Sequence, residues 1–468
     1  MFRVSRLESE KMRNLTLILF GIIVHLFTGS AWAGLTDKVS ETVLSNGLKV
    51  ILLENHKAPL VTFQVWYRVG SRNESWGKTG LSHMLEHMMF KGTKKIGGEQ
   101  FSRIIEENGG NYNAFTSKDF TAYFENLRSD RIQVAIDLEA DRMRNLVLRD
   151  KDFQTERMVV MEERRLRTED NPRAYLFEQM TAAAFTVSPY HWPIIGWMED
   201  IRRFTLADLQ DYYQTYYQPA NAFLVVVGDF KKDDILFLIR RAFGGYTSGV
   251  KPDPTRSVEP QHVGEKKVLV KKEAQLPFLV RGFYVPNLQS YDSYVLEVIA
   301  AILSGGKSSR FYREMVREKQ VALEAHADHS LLSHDPSLFY ISVVPMPGKD
   351  MADLENAVDR ELERLQNTPV TDHEIEKAKN RLEASFIYSQ DSLFSQAMLL
   401  ARHEIAGGWK KLDDYLPFVR KVTAADIQRV SKRYLIRDNS TVGILVPLPV
   451  KEGRSTSQAF GGHEEMIK

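Results

Sequence analysis

The sequence predicts an α+β fold built from two homologous α/β sandwich domains. Segments with strand and helix patterns mix along the chain without the strict alternation that a doubly wound parallel sheet requires. Five polar residues of the first half recur, unchanged in type, 218 positions later, which indicates an internal duplication. Between the halves, residues 251–263 contain three prolines and few apolar side chains, as is typical of a linker.

Composition places the chain among ordinary globular proteins. It has 468 residues, 43% apolar and 26% charged, which is enough for two to four domains. The formal net charge of +1 gives no indication of a nucleic-acid partner. Cysteine is absent from the sequence. Any zinc must therefore be held by histidine, aspartate or glutamate, and no disulfide stabilises the fold.

The first 33 residues have the pattern of a cleaved secretory signal. Basic residues precede an apolar run at 15–27, and small residues complete an A-x-A site ending at Ala33. The run has 13 residues, whereas spanning a bilayer takes roughly 20. We therefore expect a soluble periplasmic protein that begins near Gly34. An uncleaved anchor in the inner membrane is the alternative, and Met12 is an alternative start.

The elements of the first half follow from apolar periodicity and turn residues. Residues 34–250 are assigned to an N-terminal domain on this basis. The predicted elements are a hairpin at 41–55 that turns at Asn46-Gly47, a strand at 60–69, helices at 80–90 and 100–108, a strand region at 111–127, helical segments at 130–146 and 150–185, a helix at 205–217 and a strand at 222–228.

The second half repeats this scaffold. The offset of 218 carries Pro59, at the start of a strand, onto Pro277, which precedes a strand at 278–285. Residues 264–450 are therefore assigned to a homologous C-terminal domain, and the polar tail 451–468 is expected to be disordered. The residues that recur are Thr205, Asp208, Gln210, Tyr216 and Asn221, as Thr423, Asp426, Gln428, Tyr434 and Asn439.

Two histidines four residues apart carry the chemistry of the first half. His83 and His87 flank Glu86 in an inverted zincin motif, H-x-x-E-H. Positions i and i+4 of a helix share one face, so both imidazoles can reach one metal ion. A catalytic zinc needs a third protein ligand, an open position for water and a carboxylate base. The motif supplies two ligands and the base.

The duplication confines this chemistry to the first half. At an offset of 218 the motif residues correspond to Ala301, Ser304 and Gly305, none of which is a metal ligand at these positions. The second half is therefore expected to provide a wall, substrate contacts or a surface for a partner.

The third ligand is open on spacing alone. Glu156 and Glu163, two helical turns apart, lie within about 20° of one another around a helix, beside an apolar stripe. Buried carboxylates are costly unless they are paired or bind a metal. Glu163 is a candidate ligand, Glu156 a ligand or a supporting group, and Glu162 points away and is expected to pair with an arginine.

The motifs together closely resemble those of the pitrilysin/insulinase family of zinc metallopeptidases, in its mitochondrial-processing-peptidase-like branch of two-domain chains. The resemblance covers residues 42–446. It is carried by HMLEHMMFKGT at 83–93, Asn108-Gly109-Gly110, Asn113-Ala114-Phe115-Thr116 and ERMVVMEE at 156–163.

This resemblance implies the ligand set and the reaction. The family's third ligand is a glutamate about 76 residues beyond the second histidine, which is Glu163 here. The glutamate seven residues earlier, Glu156, assists the site. One zinc ion per chain then activates a water, and Glu86 acts as the general base in peptide hydrolysis. The two domains are expected to enclose a substrate chamber for peptides or unfolded segments, alone or with a second subunit.

The resemblance also implies substrate contacts. Residues 111–127 correspond to the edge strand to which an extended substrate adds, with Asn113 and Ala114 at its backbone. Arg317 matches a substrate-facing arginine, but position 324 is glutamate where active members often have tyrosine. We therefore expect a homodimer, or a heterodimer with a homologous metal-free subunit that carries the arginine–tyrosine pair.

Three other interpretations are weaker. A non-catalytic scaffold subunit would not need the motif residues together with Glu163. Zinc storage or sensing would need no base at Glu86. A second metal site at His326, His329 and His334 has irregular spacing, and a solvated strand edge explains these histidines better.

Overall fold

The fold comprises two mixed β-sheets flanked by helices. The computed structural model describes residues 34–249, 251–252 and 257–449. Both sheets lie in the compact unit that begins at Val39, and the short 3₁₀-helix Leu35–Lys38 belongs to a separate unit. The predicted signal segment and the predicted tail fall outside the described residues. Within them, no helix combines the length and apolar character needed to cross a membrane.

The first sheet has six strands in the order β1-β2-β6-β3-β5-β4. Only the β2–β6 pair is parallel. The strands are β1 Val39–Val43, β2 Lys49–Glu54, β3 Leu60–Tyr67, β4 Asn111–Thr116, β5 Thr121–Arg128 and β6 Ala222–Gly228. The helices of this half are α1 Leu81–Met88, α2 Gly98–Glu107, α3 Ile132–Asn145, α4 Asp150–Arg164, α5 Pro172–Ala184, α6 Met198–Arg203, α7 Leu206–Tyr216 and α8 Lys232–Phe243.

The second sheet repeats five of these strands in the corresponding order, β7-β11-β8-β10-β9, again with one parallel pair, β7–β11. Its strands are β7 Lys266–Glu273, β8 Phe278–Val285, β9 Ala322–His329, β10 Ser337–Pro345 and β11 Ser440–Leu448. The helices of this half are α9 Tyr291–Ser304, α10 Met351–Asn367, α11 Asp372–Tyr388, α12 Leu393–Ala406, α13 Tyr415–Lys421 and α14 Ala424–Tyr434.

The predicted duplication is confirmed by equivalent elements. β3 and β8 coincide residue for residue at the offset of 218, as do α7 and α14. Thr205 and Thr423 each accept a hydrogen bond from the backbone three residues on, in a capping box that begins the helix. Asn221 and Asn439 each donate to the carbonyl five residues earlier, at 2.9 and 2.8 Å. The α+β fold with two similar halves is therefore confirmed.

Each half contributes one helix to the other half's sheet. α5 belongs to the first half in sequence, yet Leu176, Met180 and Ala184 are buried against the second sheet. Gly443 of that sheet allows the approach, since a Cβ at this position would lie 3.0 Å from Met180. The halves are therefore interlocked, a feature that the predicted division into residues 34–250 and 264–450 does not describe.

The reciprocal helix, α12, packs on the first sheet. The ring of Phe394 lies 4.7 Å from that of Phe124 on β5. At its C-terminal end, the buried carboxylate of Glu404 accepts hydrogen bonds from Lys49 at 2.8 Å and Arg68 at 2.5 Å. Two cations thus compensate the desolvated carboxylate and attach the second half to the first sheet.

Two segments differ from their predicted form. Residues 111–127 are a hairpin of β4 and β5, because the Ser117 hydroxyl accepts hydrogen bonds from the backbone of Asp119 and Phe120 and closes a turn. The helical stretch 150–185 divides into α4, a π-helical turn Arg165–Glu169 and α5. Asn171 caps α5, and Pro172 occupies its first turn, where no N–H is needed.

Candidate metal centre

α1 is held in place at its N-terminus by an acidic residue that sequence reasoning missed. The carboxylate of Glu74 accepts hydrogen bonds from the backbone of Gly80 at 2.7 Å and of Ser82 at 2.8 Å. Burial raises the pKa of Glu74 to about 8, against the effect of these hydrogen bonds. Gly80 has φ +93° and lies against Ile195, whose carbonyl oxygen would be 2.6 Å from an added Cβ. Only glycine fits this entry to the helix.

The structure brings His83, His87 and Glu163 together. The Nε2 atoms of His83 and His87 lie 3.7 and 3.4 Å from Oε2 of Glu163. One ligand atom from each residue lies within 4.8 Å of the other two. Their side chains are 12%, 23% and 17% exposed, so the cluster is sheltered but reachable.

This geometry fits a zinc ion. Ligands bound tetrahedrally at 2.0–2.1 Å lie about 3.4 Å from one another, which is close to the separations of both Nε2 atoms from Glu163 Oε2. Two imidazoles and one carboxylate are also a donor set that leaves one coordination position open in catalytic zinc sites. In the part of the chain that the structure describes, this is the one group of three or more such residues.

The charges of the three side chains are coupled. Burial lowers the pKa of His87, but hydrogen bonds to Glu156 and Glu163 outweigh it and raise that pKa to about 9. Burial raises the pKa of Glu163, whereas the hydrogen bond to His87 and the charge of His83 lower it to about 2. Burial, followed by the charge of His87, lowers the pKa of His83 to about 4. Without metal, His87 therefore carries a proton between two carboxylates.

Glu156 lies on the other side of His87. Its Oε2 is 3.1 Å from Nδ1 of His87, and its Oε1 contacts the ammonium of Lys91. The hydrogen bond to His87 lowers the pKa of Glu156. Glu156 thus contacts the ring nitrogen opposite the one that faces Glu163. By contrast, the buried Nδ1 of His83 has no hydrogen-bond partner among the described residues.

The neighbours of Glu163 on the same helix have different environments. Glu162 is 57% exposed and bonds Arg165 at 2.8 Å, as expected for a surface ion pair. Arg167, on the π-helical turn, bonds the second oxygen of Glu163 at 3.0 Å. Oε1 of Glu163 is thus occupied, and Oε2 remains directed at the histidines.

Glu86 lies on α1 between the two histidines in sequence. Its Oε2 accepts a hydrogen bond of 2.5 Å from the hydroxyl of Thr116, at the end of β4. Burial raises the pKa of Glu86, and the hydrogen bond from Thr116 opposes this rise. A carboxylate of raised pKa beside a metal site is suited to accept and return a proton.

β4 is an edge strand of the first sheet. It pairs with β5 on one side, with Asn113 opposite Phe124 and Ala114 opposite Tyr123. The Asn113 side chain is exposed and accepts a hydrogen bond from the backbone of Ala114 at 2.9 Å. Of the predicted edge strand 111–127, only the first six residues form the edge.

Comparison with known proteins identifies the family. The insulinase family (peptidase family M16) matches residues 49–196, and the peptidase M16 inactive domain matches residues 203–382. The zinc protease PqqE of Helicobacter pylori is 34% identical over 451 residues, covering 95% of this chain and 99% of that protein. The chain belongs to peptidase family M16.

Solved structures of M16 proteins share the fold. A protease from Helicobacter pylori matches with a TM-score of 0.84 and 33% identity, over 88% of this chain and 100% of that one. The periplasmic protease PqqL of Escherichia coli has a TM-score of 0.73 at 18% identity, over 88% of this chain and 48% of that one. The second likeness concerns the fold alone.

The second half lacks the ligand residues of the first, and its residues 264–382 fall within the match to the peptidase M16 inactive domain. Ala301 and Ser304 end α9, and Gly305 follows the helix. The position equivalent to Glu163 is Arg381, whose guanidinium would lie 2.8 Å from a Cβ added at Gly306. The Cδ of Arg381 would also lie 3.2 Å from a Cβ added at Gly305, the position of the second histidine. With an arginine, an alanine and a glycine at the three ligand positions, this half has no ligand set of the M16 type.

The remaining predicted substrate-binding and metal-binding positions lie in the second half. Arg317 is exposed on a π-helix, Tyr312–Glu318, and forms no hydrogen bond or ion pair within the described residues. Glu324 is half-buried on β9. His329 is buried and bonds Glu297 at 2.8 Å, and the three histidines of this region form no metal cluster among the described residues.

Proposed function

We propose that this chain is a zinc-dependent endopeptidase that hydrolyses peptides or extended polypeptide segments, with one zinc ion per chain. The observation that carries the proposal is the convergence of His83, His87 and Glu163, which form the one such cluster among the described residues. Glu86 is anchored on the helix that carries both histidines. Its Helicobacter pylori relative is a zinc protease, which supports the metal and the reaction.

The roles of the side chains follow from their contacts. Zinc, when bound, supplies a Lewis acid that polarises the scissile carbonyl and makes water a nucleophile at neutral pH. His83 and His87 would hold it through Nε2 and Glu163 through Oε2. Glu86 would take the proton of the attacking water and deliver it to the leaving nitrogen. Its Oε1 has no hydrogen bond among the described residues, so this atom is available for the transfer.

Glu156 is proposed as a positioning residue. By bonding Nδ1 of His87, it fixes the ring orientation and the tautomer that presents Nε2 to the metal. Lys91 holds the other oxygen of Glu156 and prevents the carboxylate from turning toward the metal itself. Glu156 is therefore assigned to the support of a ligand, and its role in catalysis is indirect.

The substrate is proposed to bind as an additional strand on β4. Among the described residues, β4 has no neighbouring strand on its outer side, and an extended peptide can pair with the backbone there without a specific side-chain sequence. Asn113 and Ala114 lie on this strand, three and two residues before Thr116. Extended or unfolded polypeptides are therefore proposed as substrates in preference to folded proteins.

A partner chain is proposed as the source of further substrate contacts. The family often has a tyrosine that acts with this arginine, and Glu324 occupies its position here. This chain therefore has Arg317 but not the tyrosine. A heterodimer with a homologous metal-free subunit would supply that arginine–tyrosine pair, whereas a homodimer would add only a second copy of Arg317 and Glu324. The mass and the peptidase activity of the chain, measured alone and after mixing with candidate M16 subunits, decide between the two dimers. Full activity of a monomer would exclude both.

The periplasm is the proposed location. The signal pattern of residues 1–33 supports export through the inner membrane. An uncleaved anchor remains the alternative. Sequencing the N-terminus of the protein purified from its own cells distinguishes the two.

The proposal is tested by metal analysis and peptide cleavage. The purified chain should cleave quenched extended peptides, lose this activity to a chelator and regain it with zinc. Glu163→Ala should lower the zinc content, whereas Glu162→Ala on the same turn should not. Undiminished zinc in Glu163→Ala would exclude that residue as an essential ligand, and chelator-resistant cleavage would refute zinc catalysis.

A further inference from the structure

The hydroxyl of Thr116 is the only hydrogen-bond partner of the Glu86 side chain among the described residues. The bond is 2.5 Å long and joins two elements, the edge strand β4 and the helix α1. Thr116 is 8% exposed, so water does not readily replace this contact. Thr116 lies 30 positions from Glu86 in sequence. The Thr116 side chain is not one of the proposed zinc ligands.

The position of this hydroxyl is fixed by the hairpin. Thr116 is the last residue of β4 and pairs with Thr121 across the turn. The tip is held by Asp119, whose carboxylate oxygens accept a hydrogen bond from the Tyr190 hydroxyl at 2.7 Å. Because threonine is β-branched, few side-chain rotamers are open to it on a strand. The Thr116 hydroxyl therefore has one preferred position.

Anchoring one oxygen of Glu86 restricts the other. A free glutamate side chain samples many rotamers, and restricting it before reaction removes an entropy cost from the chemical step. With Oε2 held by Thr116, rotation about the last bond is limited, and Oε1 keeps one orientation relative to α1. The same strand offers its free edge to the substrate, so a single element would align both the peptide backbone and the base.

We propose that Thr116 is a positioning residue for the general base, which couples substrate docking on β4 to the placement of Glu86. This inference rests on the proposed peptidase function. It predicts that loss of the hydroxyl lowers kcat and leaves KM and zinc content unchanged, since neither the strand edge nor the ligands are altered.

The test compares variants of one side chain. Thr116→Val removes the hydroxyl and keeps the shape, Thr116→Ser keeps the hydroxyl, and Thr121→Val removes a buried hydroxyl from the facing strand, where it bonds the carbonyl of Val69. We expect kcat about 10- to 100-fold lower in Thr116→Val, the range that small misplacements of a catalytic group produce. Thr116→Ser and Thr121→Val should stay within about threefold of the unmodified chain.

The outcomes separate this inference from the proposed function. Wild-type kcat in folded, zinc-loaded Thr116→Val overturns the role of Thr116, as does an equal loss in Thr116→Ser. If Thr116→Val does not fold, the comparison of Thr116→Ser with Thr116→Ala decides in the same way. Glu86→Gln measured in parallel tests the base itself: if it is inactive while Thr116→Val is normal, only the present inference fails.

Discussion

Zinc binding should compete with one proton, and that proton lies on His87. A metal-binding imidazole must be neutral. Glu156 and Glu163 raise the pKa of His87 to about 9 in the metal-free site, so about 1% of this residue is neutral at pH 7. His83, with a pKa of about 4, and Glu163, with a pKa of about 2, are already in their binding forms above pH 5.5.

The magnitude follows from this single proton. Below the pKa of His87, the neutral fraction falls tenfold for each pH unit, and the apparent association constant for zinc falls with it. The affinity at pH 5.5 should therefore be about tenfold weaker than at pH 6.5, a difference of about 1.4 kcal/mol. If His87 instead had its ordinary pKa of about 6.5, the affinity would change only about sixfold over this unit. Above neutral pH, the affinity would then no longer rise with pH.

Chelator competition at fixed ionic strength measures this dependence, and calorimetry in two buffers of different ionisation enthalpy counts the protons released. We expect close to one proton per zinc at pH 6.5. Glu156→Ala removes the hydrogen bond that raises the pKa of His87 most. The zinc affinity of this variant should therefore stop changing with pH at a lower pH than that of the unmodified chain. Zinc binding without pH dependence between pH 5.5 and 6.5 would refute the assigned protonation of His87.

Two further predictions concern support of the site and of the fold. Glu156→Ala should lower zinc affinity about 10- to 100-fold, the usual loss when a group that orients a ligand is removed, once the affinities of both proteins are corrected for the fraction of neutral His87. Equal corrected affinities by chelator competition would contradict the positioning role of Glu156. Met180→Ala, at a site buried between α5 and the second sheet, should cost about 2–5 kcal/mol in denaturant unfolding. Met158→Ala, at a 59% exposed site on α4, should cost under about 0.5 kcal/mol; equal costs would show that the exchanged helix does not hold the halves together.

The sequence was sufficient for the features that depend on local geometry or linear order. His83 and His87 share a helix face because four residues make about one turn. The duplication could be predicted because Thr205 and Asn221 form local hydrogen bonds. Thr205 caps a helix, and Asn221 donates to a carbonyl five residues earlier. Such residues recur wherever the same local structure recurs. Glu163 was one of two candidates on spacing, and the family resemblance selected it.

Contacts between segments distant in the chain could not be predicted from the sequence. The apolar stripe of α5 shows that one face is buried, but it does not show which sheet covers that face, so the exchange of helices between the halves was missed. Glu74 and Thr116 act on α1 from a loop and from a strand, and neither lies at a spacing that marks a contact. Arg381 lies at the offset of 218 from Glu163, but the sequence does not show that its side chain packs against Gly305 and Gly306.

The most direct test of the central claim is the behaviour of Glu86→Gln. Glutamine keeps an acceptor for the Thr116 hydroxyl and leaves the proposed ligands His83, His87 and Glu163 untouched, so the variant should bind one zinc per chain. It cannot accept a proton, and its peptide turnover should fall by about 10²-fold or more. Zinc content and cleavage measured on the same preparation give the answer: retained zinc with lost turnover is predicted, and full turnover would contradict the assignment of Glu86 as the general base.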